Sequence, residues 1–238
     1  MSLLHSPKIV TNGLVLCLDA ADRKSYPGTG TVWKDRSGNE NHGTLTNGPT
    51  FNSANGGSIV FDGTNDYATK TSSINTGQNF TVSVWVKKTK NGRNSLVANS
   101  YPYINNVGWY FFIGGFGLNN SLFLSVGADQ SYVSTFPNAL NDNQWYNLAG
   151  TVENGGVSIK LYINSILQTN NPTYTSLSSV PIPIVYTTTR YEIGGLQISA
   201  PDYLGGSIAQ TCIYNKVLTE KEIQQNFNAA RGRFGIWV

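Results

Sequence analysis

The stretch Phe80-Thr81-Val82-Ser83-Val84-Trp85-Val86 decides the fold, because every second residue in it is apolar. In an extended chain, the even-numbered residues from Phe80 to Val86 fall on one face and the residues between them on the other. This period-two alternation predicts a β-strand with one face against a core. The pattern recurs along most of the chain, so the sequence predicts an all-β protein.

Further strands are predicted on both sides of this stretch, with turn residues between them. Asn154-Gly155 separates two of them, and this dipeptide favours a hairpin turn in which φ is positive. The predicted segments are Leu14–Leu18, Ser58–Phe61, Trp109–Ile113, Ser121–Val126, Trp145–Val152, Val157–Ile163 and Ile208–Tyr214.

One helix is predicted, from Thr219 to Ala230, near the C-terminus. Thr219-Glu220-Lys221-Glu222 is a capping box, in which the Thr and Glu side chains each accept an otherwise unpaired backbone N–H. Ile223, Phe227 and Ala230 form one apolar stripe, which predicts that the helix lies on the sandwich. Gly232 is predicted to end the helix by adopting the left-handed backbone conformation.

Composition and charge exclude several classes of protein. Charged residues are 12% of the 238-residue chain, and the net charge is +3 without a basic block. A dedicated nucleic-acid binder is therefore not expected. No apolar run is long enough to predict a membrane span. Residues 1–8 lack the pattern of a secretory signal, so we expect synthesis in the cytoplasm.

We predict one domain over residues 13–231, with an N-terminal arm over 1–12 and a C-terminal tail over 232–238. The segment from Asn170 to Thr189 is predicted to be a long loop. The tail ends on three apolar residues, Ile236-Trp237-Val238. Burial of such side chains is favourable, and a tail that stays in water gains none of this free energy. We expect part of this tail and the arm to lie at an inter-subunit contact, with docking on the chain's own sandwich as the alternative.

Cys17 and Cys212 are too few for a secreted disulfide scaffold. We expect two buried, reduced thiols, with a bridge between the first and last strands as the alternative.

The acidic residues do not predict catalysis. A glycosidase needs two carboxylates that flank the scissile bond. Glu192 is the acidic residue closest to the middle of a predicted strand, and it has no acidic partner two residues away. A nucleophile would need a base, and His42 is the only internal histidine. The sequence therefore predicts a protein that is not an enzyme.

A candidate metal site lies in Asp62-Gly63-Thr64-Asn65-Asp66. Asp62, Asn65 and Asp66 place three oxygen-bearing side chains within five residues, and Ca²⁺ prefers such ligands. Asp202, in a later loop, is a candidate fourth ligand. The alternative is a tight loop whose side chains bind their own backbone.

Aromatic residues in predicted loops are candidates for stacking on sugar rings. Tyr101 and Tyr103, in an Asn-rich loop, and Tyr203 are the predicted glycan-binding residues. Trp85 and Trp109 are predicted to be buried, because both lie within strands.

Taken in order, ten short strings resemble the laminin-G-like, concanavalin A-like jelly-roll domains. The last of them looks like the ending of such domains in virion proteins of tailed phages that infect marine and cyanobacterial hosts. The strings are Gly13–Ala20, Trp33–Asn39, His42–Leu45, Val60–Tyr67, Phe80–Val86, Gln144–Thr151, Leu161–Asn164, Gly205–Gln210, Ile213–Thr219 and Asn226–Gly235.

The resemblance implies a concanavalin A-like β-sandwich, a jelly roll of two antiparallel sheets, with one C-terminal helix. Members mostly bind glycans or proteins, often with a Ca²⁺ ion at the rim. We therefore expect a virion structural protein on a fibre or capsid, which forms a homo-oligomer, contacts other virion proteins and binds host-surface polysaccharide. The alternatives are a stand-alone lectin, with or without Ca²⁺, and a glycosidase.

Overall fold

The structure, a computed structural model, describes residues 7–99, 108–127, 131–169, 175–186, 190–197 and 201–237. Nineteen strands and one α-helix, α1 (Glu220–Ala230), form within these residues. The strands are β1 (Leu14–Asp19), β2 (Val32–Trp33), β3 (Gly43–Thr46), β4 (Thr50–Asn52), β5 (Ser58–Asp62), β6 (Tyr67–Lys70), β7 (Phe80–Lys88), β8 (Asn94–Asn99), β9 (Trp109–Gly115), β10 (Leu118–Val126), β11 (Ser131–Ser134), β12 (Trp145–Glu153), β13 (Ser158–Ile163), β14 (Ile166–Leu167), β15 (Thr175–Ser176), β16 (Tyr191–Ile193), β17 (Gly195–Leu196), β18 (Asp202–Tyr203) and β19 (Gly205–Tyr214).

The strands form two large antiparallel sheets, as the resemblance implies. The eight-stranded sheet has the order β14-β13-β12-β7-β19-β5-β4, and β1 also pairs with β19. The nine-stranded sheet has the order β15-β11-β10-β9-β8-β16-β6-β3-β2. Strands β17 and β18 form a separate hairpin. The predicted long loop contributes β15, which pairs with β11 and forms one edge of the nine-stranded sheet.

The main core lies between the two sheets. The even-numbered side chains of β7 from Phe80 to Val86 are buried in it, which confirms the predicted alternation. Trp109 is also buried there, and its ring stacks on Phe80 with 4.8 Å between centroids. The predicted turn joins β12 to β13, with φ of 52° at Asn154 and 63° at Gly155.

The last strand of the chain, β19, lies in the interior of the eight-stranded sheet. It pairs with β7 along one side, and with β5 and then β1 along the other. The first strand therefore forms its hydrogen bonds with the last one. Within this pair, Cys17 is directly opposite Cys212.

Helix α1 covers the outer face of the eight-stranded sheet. Thr219 is its N-cap, and both hydrogen bonds of the predicted capping box are present. Ile223 and Phe227 are buried, and the Phe227 ring stacks on Trp85 at 5.6 Å. Trp85 is thus buried beneath the helix, as predicted.

The predicted stop at Gly232 is wrong. Arg231–Phe234 continues as a 3-10 helix after α1, and the residue with left-handed backbone is Gly235, with φ of 67°. The reason lies in packing, because the extra turn carries Phe234 onto Trp85 and Trp145. Ile236 packs on the same cluster, whereas Trp237 is 79% exposed.

The described part of the N-terminal arm lies against the same helix. The Val10 N–H donates to the Asn226 side chain at 2.8 Å, and Gln225 donates to the Lys8 carbonyl at 2.7 Å. The arm from Pro7 and the tail as far as Ile236 therefore pack on the chain's own sandwich. Within the described residues, no helix has the length and apolar character needed to cross a membrane.

Candidate functional site

The predicted metal-binding loop begins where β5 ends. One carboxylate oxygen of Asp62 accepts the backbone N–H groups of Thr64 at 2.8 Å and Asn65 at 3.2 Å. An Asp66 oxygen accepts the Asp62 N–H at 3.0 Å. The hydrogen bond from the Thr64 N–H is the main reason why the pKa of the Asp62 carboxyl is lowered. These carboxylates thus close the turn, which is the alternative that the sequence leaves open.

A lysine ammonium lies between this turn and the predicted fourth ligand. Lys90 Nζ donates to the carbonyls of Gly63 and Tyr203, each at 2.9 Å. Asp202 pairs with Arg93, whose Nη1 is 3.3 Å from the carboxylate. Two cations therefore stand beside the candidate ligands, and this arrangement does not fit a bound Ca²⁺ ion. Within the described residues, no group of three His, Cys, Asp or Glu side chains could hold a metal ion.

An aromatic cluster covers the outer face of the nine-stranded sheet, on the side away from the main core. We define it by five residues on β9, β10, β11 and the turn that joins β9 to β10. Ring centroids of neighbouring members lie 4.4 to 5.8 Å apart. Offset stacking at such distances stabilises aromatic pairs. The members are Tyr110, Phe112, Phe116, Phe123 and Tyr132.

Phe116 is the exposed member of the aromatic cluster. Its side chain is 43% exposed, and its ring stacks on Tyr132 at 5.8 Å. Its backbone has φ of 50°, which bulky residues rarely adopt and which costs about 1–3 kcal/mol. The fold therefore holds a partly exposed aromatic ring on a strained backbone, and such strain gathers at functional sites.

Arg93 joins the aromatic cluster to the hairpin of β17 and β18. Its guanidinium carbon lies 4.8 Å from the Phe112 ring centroid and 5.7 Å from that of Phe116. The same guanidinium pairs with Asp202, which also accepts from the Tyr110 hydroxyl at 3.5 Å. Burial raises the pKa of the Asp202 carboxyl, although Arg93 opposes this shift. Arg93 and Asp202 thus place hydrogen-bonding groups beside the aromatic cluster.

A second carboxylate, Glu192, lies on the outer face of β16. One of its oxygens is 3.0 Å from Arg190 Nε, and the other accepts the Gln197 N–H at 3.1 Å. The side chain is 3% exposed, and burial raises its pKa. Both carboxylates of this region thus form an ion pair with an arginine and accept a hydrogen bond from a further donor.

The structure brings some of the predicted site residues together and separates others. Tyr203 and Asp202 form β18, beside Arg93, and Tyr203 is half-buried. Tyr101 and Tyr103 lie outside the described residues. The sequence reasoning missed Phe116 and Arg93. The available signal was Gly114-Gly115-Phe116-Gly117, an aromatic residue among three glycines at a turn.

The comparisons with known proteins agree with the sandwich. A laminin-G family model, described as the concanavalin A-like lectin/glucanases superfamily, matches residues 62–224. No curated protein matches the chain. Domain 4 of AbnA, a GH43 extracellular arabinanase from Geobacillus stearothermophilus, was solved with arabinotriose and is 18% identical, with a TM-score of 0.66. The alignment covers 90% of this chain and 97% of that domain.

Two further solved structures share the fold over part of their length. The binding domain of botulinum neurotoxin DC, solved with rat synaptotagmin II, is 16% identical with a TM-score of 0.68, over 93% of this chain and 52% of that one. A Trypanosoma rangeli sialidase variant with trans-sialidase activity is 15% identical with a TM-score of 0.57, over 96% and 34%. The chain thus spans about half of the neurotoxin domain and a third of the sialidase. Because the family model matches more than half of the 238 residues, the chain belongs to the concanavalin A-like lectin/glucanases superfamily.

Proposed function

We propose that the protein is a non-enzymatic, glycan-binding component of a phage virion, carried on a fibre or as a capsid decoration. The observation that supports glycan binding is Phe116, whose exposed ring is held over Tyr132 on a strained backbone. Sugar rings have apolar faces that stack on aromatic side chains, and their hydroxyls need polar partners. Arg93 and Asp202 supply such partners beside the ring.

The absence of catalysis is part of this proposal. Glycoside hydrolysis needs one carboxylate as acid and another as base or nucleophile, on either side of the bond. Glu192 is held by Arg190 and the Gln197 N–H, and Asp202 by Arg93. These bonds engage both groups within the protein, which favours binding over hydrolysis.

A glycan array followed by calorimetry with the strongest ligand tests the binding role. We expect Phe116→Ala to weaken that ligand about tenfold, which corresponds to ~1.4 kcal/mol. Phe136→Ala is the matched control, because Phe136 is 44% exposed and lies outside the aromatic cluster. Equal affinities of the two variants, or an array without binding, would contradict the proposal. Release of reducing ends from the bound glycan would contradict the non-enzymatic role.

The virion role rests on the phage-like ending of the sequence, Asn226–Gly235. Trp237 supports an attachment to neighbouring subunits, because it is 79% exposed beyond a tail that is otherwise packed. Mass spectrometry of purified particles should find the protein at a fixed copy number. Absence from particles, together with glycan binding, would indicate the stand-alone lectin instead. Trp237→Ala should lower the oligomer mass in light scattering without unfolding the domain.

A further inference from the structure

A basic groove lies at the β2 edge of the nine-stranded sheet, far from the aromatic cluster in strand order. Its volume is about 510 Å³. Its lining includes four basic residues, Arg23, Lys24, Lys34 and Arg36. These are four of the sixteen Lys and Arg residues of the chain, and all four are exposed. A quarter of the basic residues thus surrounds one groove.

Most of this charge is not neutralised within the protein. Arg36 pairs with Asp22 at 3.0 Å, and both side chains are partly exposed. In the described part of the chain, Arg23, Lys24 and Lys34 form no ion pair. Three cations therefore face the same opening, and an anionic ligand would lower their mutual repulsion.

The backbone around the groove is fixed by buried residues. The Lys34 N–H donates to the Ser25 carbonyl at 2.8 Å, and the Ser25 hydroxyl donates to the Lys34 carbonyl at 2.6 Å. These two bonds join the segment that carries Arg23 and Lys24 to the segment that carries Lys34 and Arg36. The buried Tyr26 donates its hydroxyl to the Gly30 carbonyl at 2.7 Å, and Trp33 is fully buried in the core. The charges are thus presented on a preorganised frame, which reduces the entropy lost on binding.

The lining of the groove fits a sugar better than a bare ion. Pro27 and Val32 give it apolar surface, and Val32 is 43% exposed. Thr29 and Thr31 add hydroxyl groups at the same opening. Apolar surface, hydroxyls and cations together match a saccharide ring that carries an acidic group. We propose that this groove binds an acidic polysaccharide, through carboxylate or sulfate groups on its sugars.

The test uses the full chain with polygalacturonate as the carboxylated probe and dextran sulfate as the sulfated one. We expect Lys24→Gln/Lys34→Gln to bind at least one probe about tenfold more weakly at low salt, and added salt to reduce the difference. Lys160→Gln/Lys221→Gln is the control, because it removes the same charge from exposed lysines elsewhere. The probe that responds identifies the acidic group.

Three results would overturn this inference: equal loss of affinity in both double variants, tighter binding to duplex DNA than to either polysaccharide, or no binding to either probe. The proposed function is tested separately, because Phe116→Ala should leave acidic-polysaccharide binding unchanged. The groove variant should in turn leave binding at the aromatic cluster unchanged. Circular dichroism of each variant confirms that the domain is folded.

Discussion

The Phe234 ring lies 4.3 Å from the Trp85 ring between centroids, with 18° between their planes. Trp85 is at the middle of β7, whereas Phe234 follows the last helix by a few residues. The C-terminal segment therefore completes the cover over the outer face of the eight-stranded sheet.

Replacing Phe234 with alanine should destabilise the domain by about 2 kcal/mol, because it exposes Trp85 and Trp145 and removes one stacked and one tilted ring pair. Urea denaturation measures the loss. Trp237→Ala is the control and, at protein concentrations where the chain is monomeric, should change stability by less than about 0.5 kcal/mol, as is usual for exposed positions. Equal effects of the two changes would show that the tail does not cover the sheet.

Thr219→Ala should cost about 1 kcal/mol, because it leaves the Glu222 N–H of the first helical turn without its partner. Thr219→Ser keeps the hydroxyl and should retain most of the stability. The denaturation midpoints of the two variants are compared. An alanine variant as stable as the serine variant would contradict the capping role of Thr219.

The two cysteines should titrate as two free thiols in denaturant without reductant. Their sulfur atoms lie 3.7 Å apart, and both side chains are buried. The Cys17 sulfur beside it, together with burial, holds the pKa of the Cys212 thiol well above its usual range. Because the thiolate is the reactive form, the folded protein should react slowly. A count of zero thiols would reveal a cross-strand disulfide.

Stability should fall with rising pH because of Glu192. Its pKa is raised in the folded state by burial, so the unfolded chain loses this proton at a lower pH than the folded chain does. The folded state therefore binds more protons between the two pKa values, and its stability declines as pH rises through that window. Glu192→Gln should show a smaller decline in urea midpoints from mildly acidic to neutral pH. Parallel curves would contradict this assignment.

Added Ca²⁺, at the ~1 mM level that saturates typical extracellular sites, should leave the melting temperature unchanged. Lys90 and Arg93 already supply positive charge beside Asp62 and Asp202. Magnesium chloride at the same ionic strength controls for screening. A rise specific to Ca²⁺ would restore the metal site that the sequence predicts.

The sequence predicted the strands and the helix well because their evidence is local, whereas the sandwich was implied by the family resemblance. Alternation in β7 and the capping box at Thr219 each depend on residues within one element. The stop at Gly232 failed because a distant contact, between Phe234 and Trp85, outweighs the preference of one glycine. Packing between segments far apart in sequence leaves no local pattern to detect.

The candidate site was harder to predict for the same reason. The spacing of Asp62 and Asp66 fits either a metal or a closed turn, and only the position of Lys90 distinguishes them. Arg93 contacts Phe112 on β9, Phe116 in the turn before β10, and Asp202 on β18. The register between those strands is a property of the whole sheet.

The interior position of β19 has a consequence for how the chain folds during synthesis. Its neighbours β1, β5 and β7 are all made earlier, and each must wait for residues 205–214 before its pairing is complete. Until then, the eight-stranded sheet has open edges that invite association with other chains. A chain cut before residue 205 should therefore aggregate, and cooperative folding should start once residues 205–214 have left the ribosome.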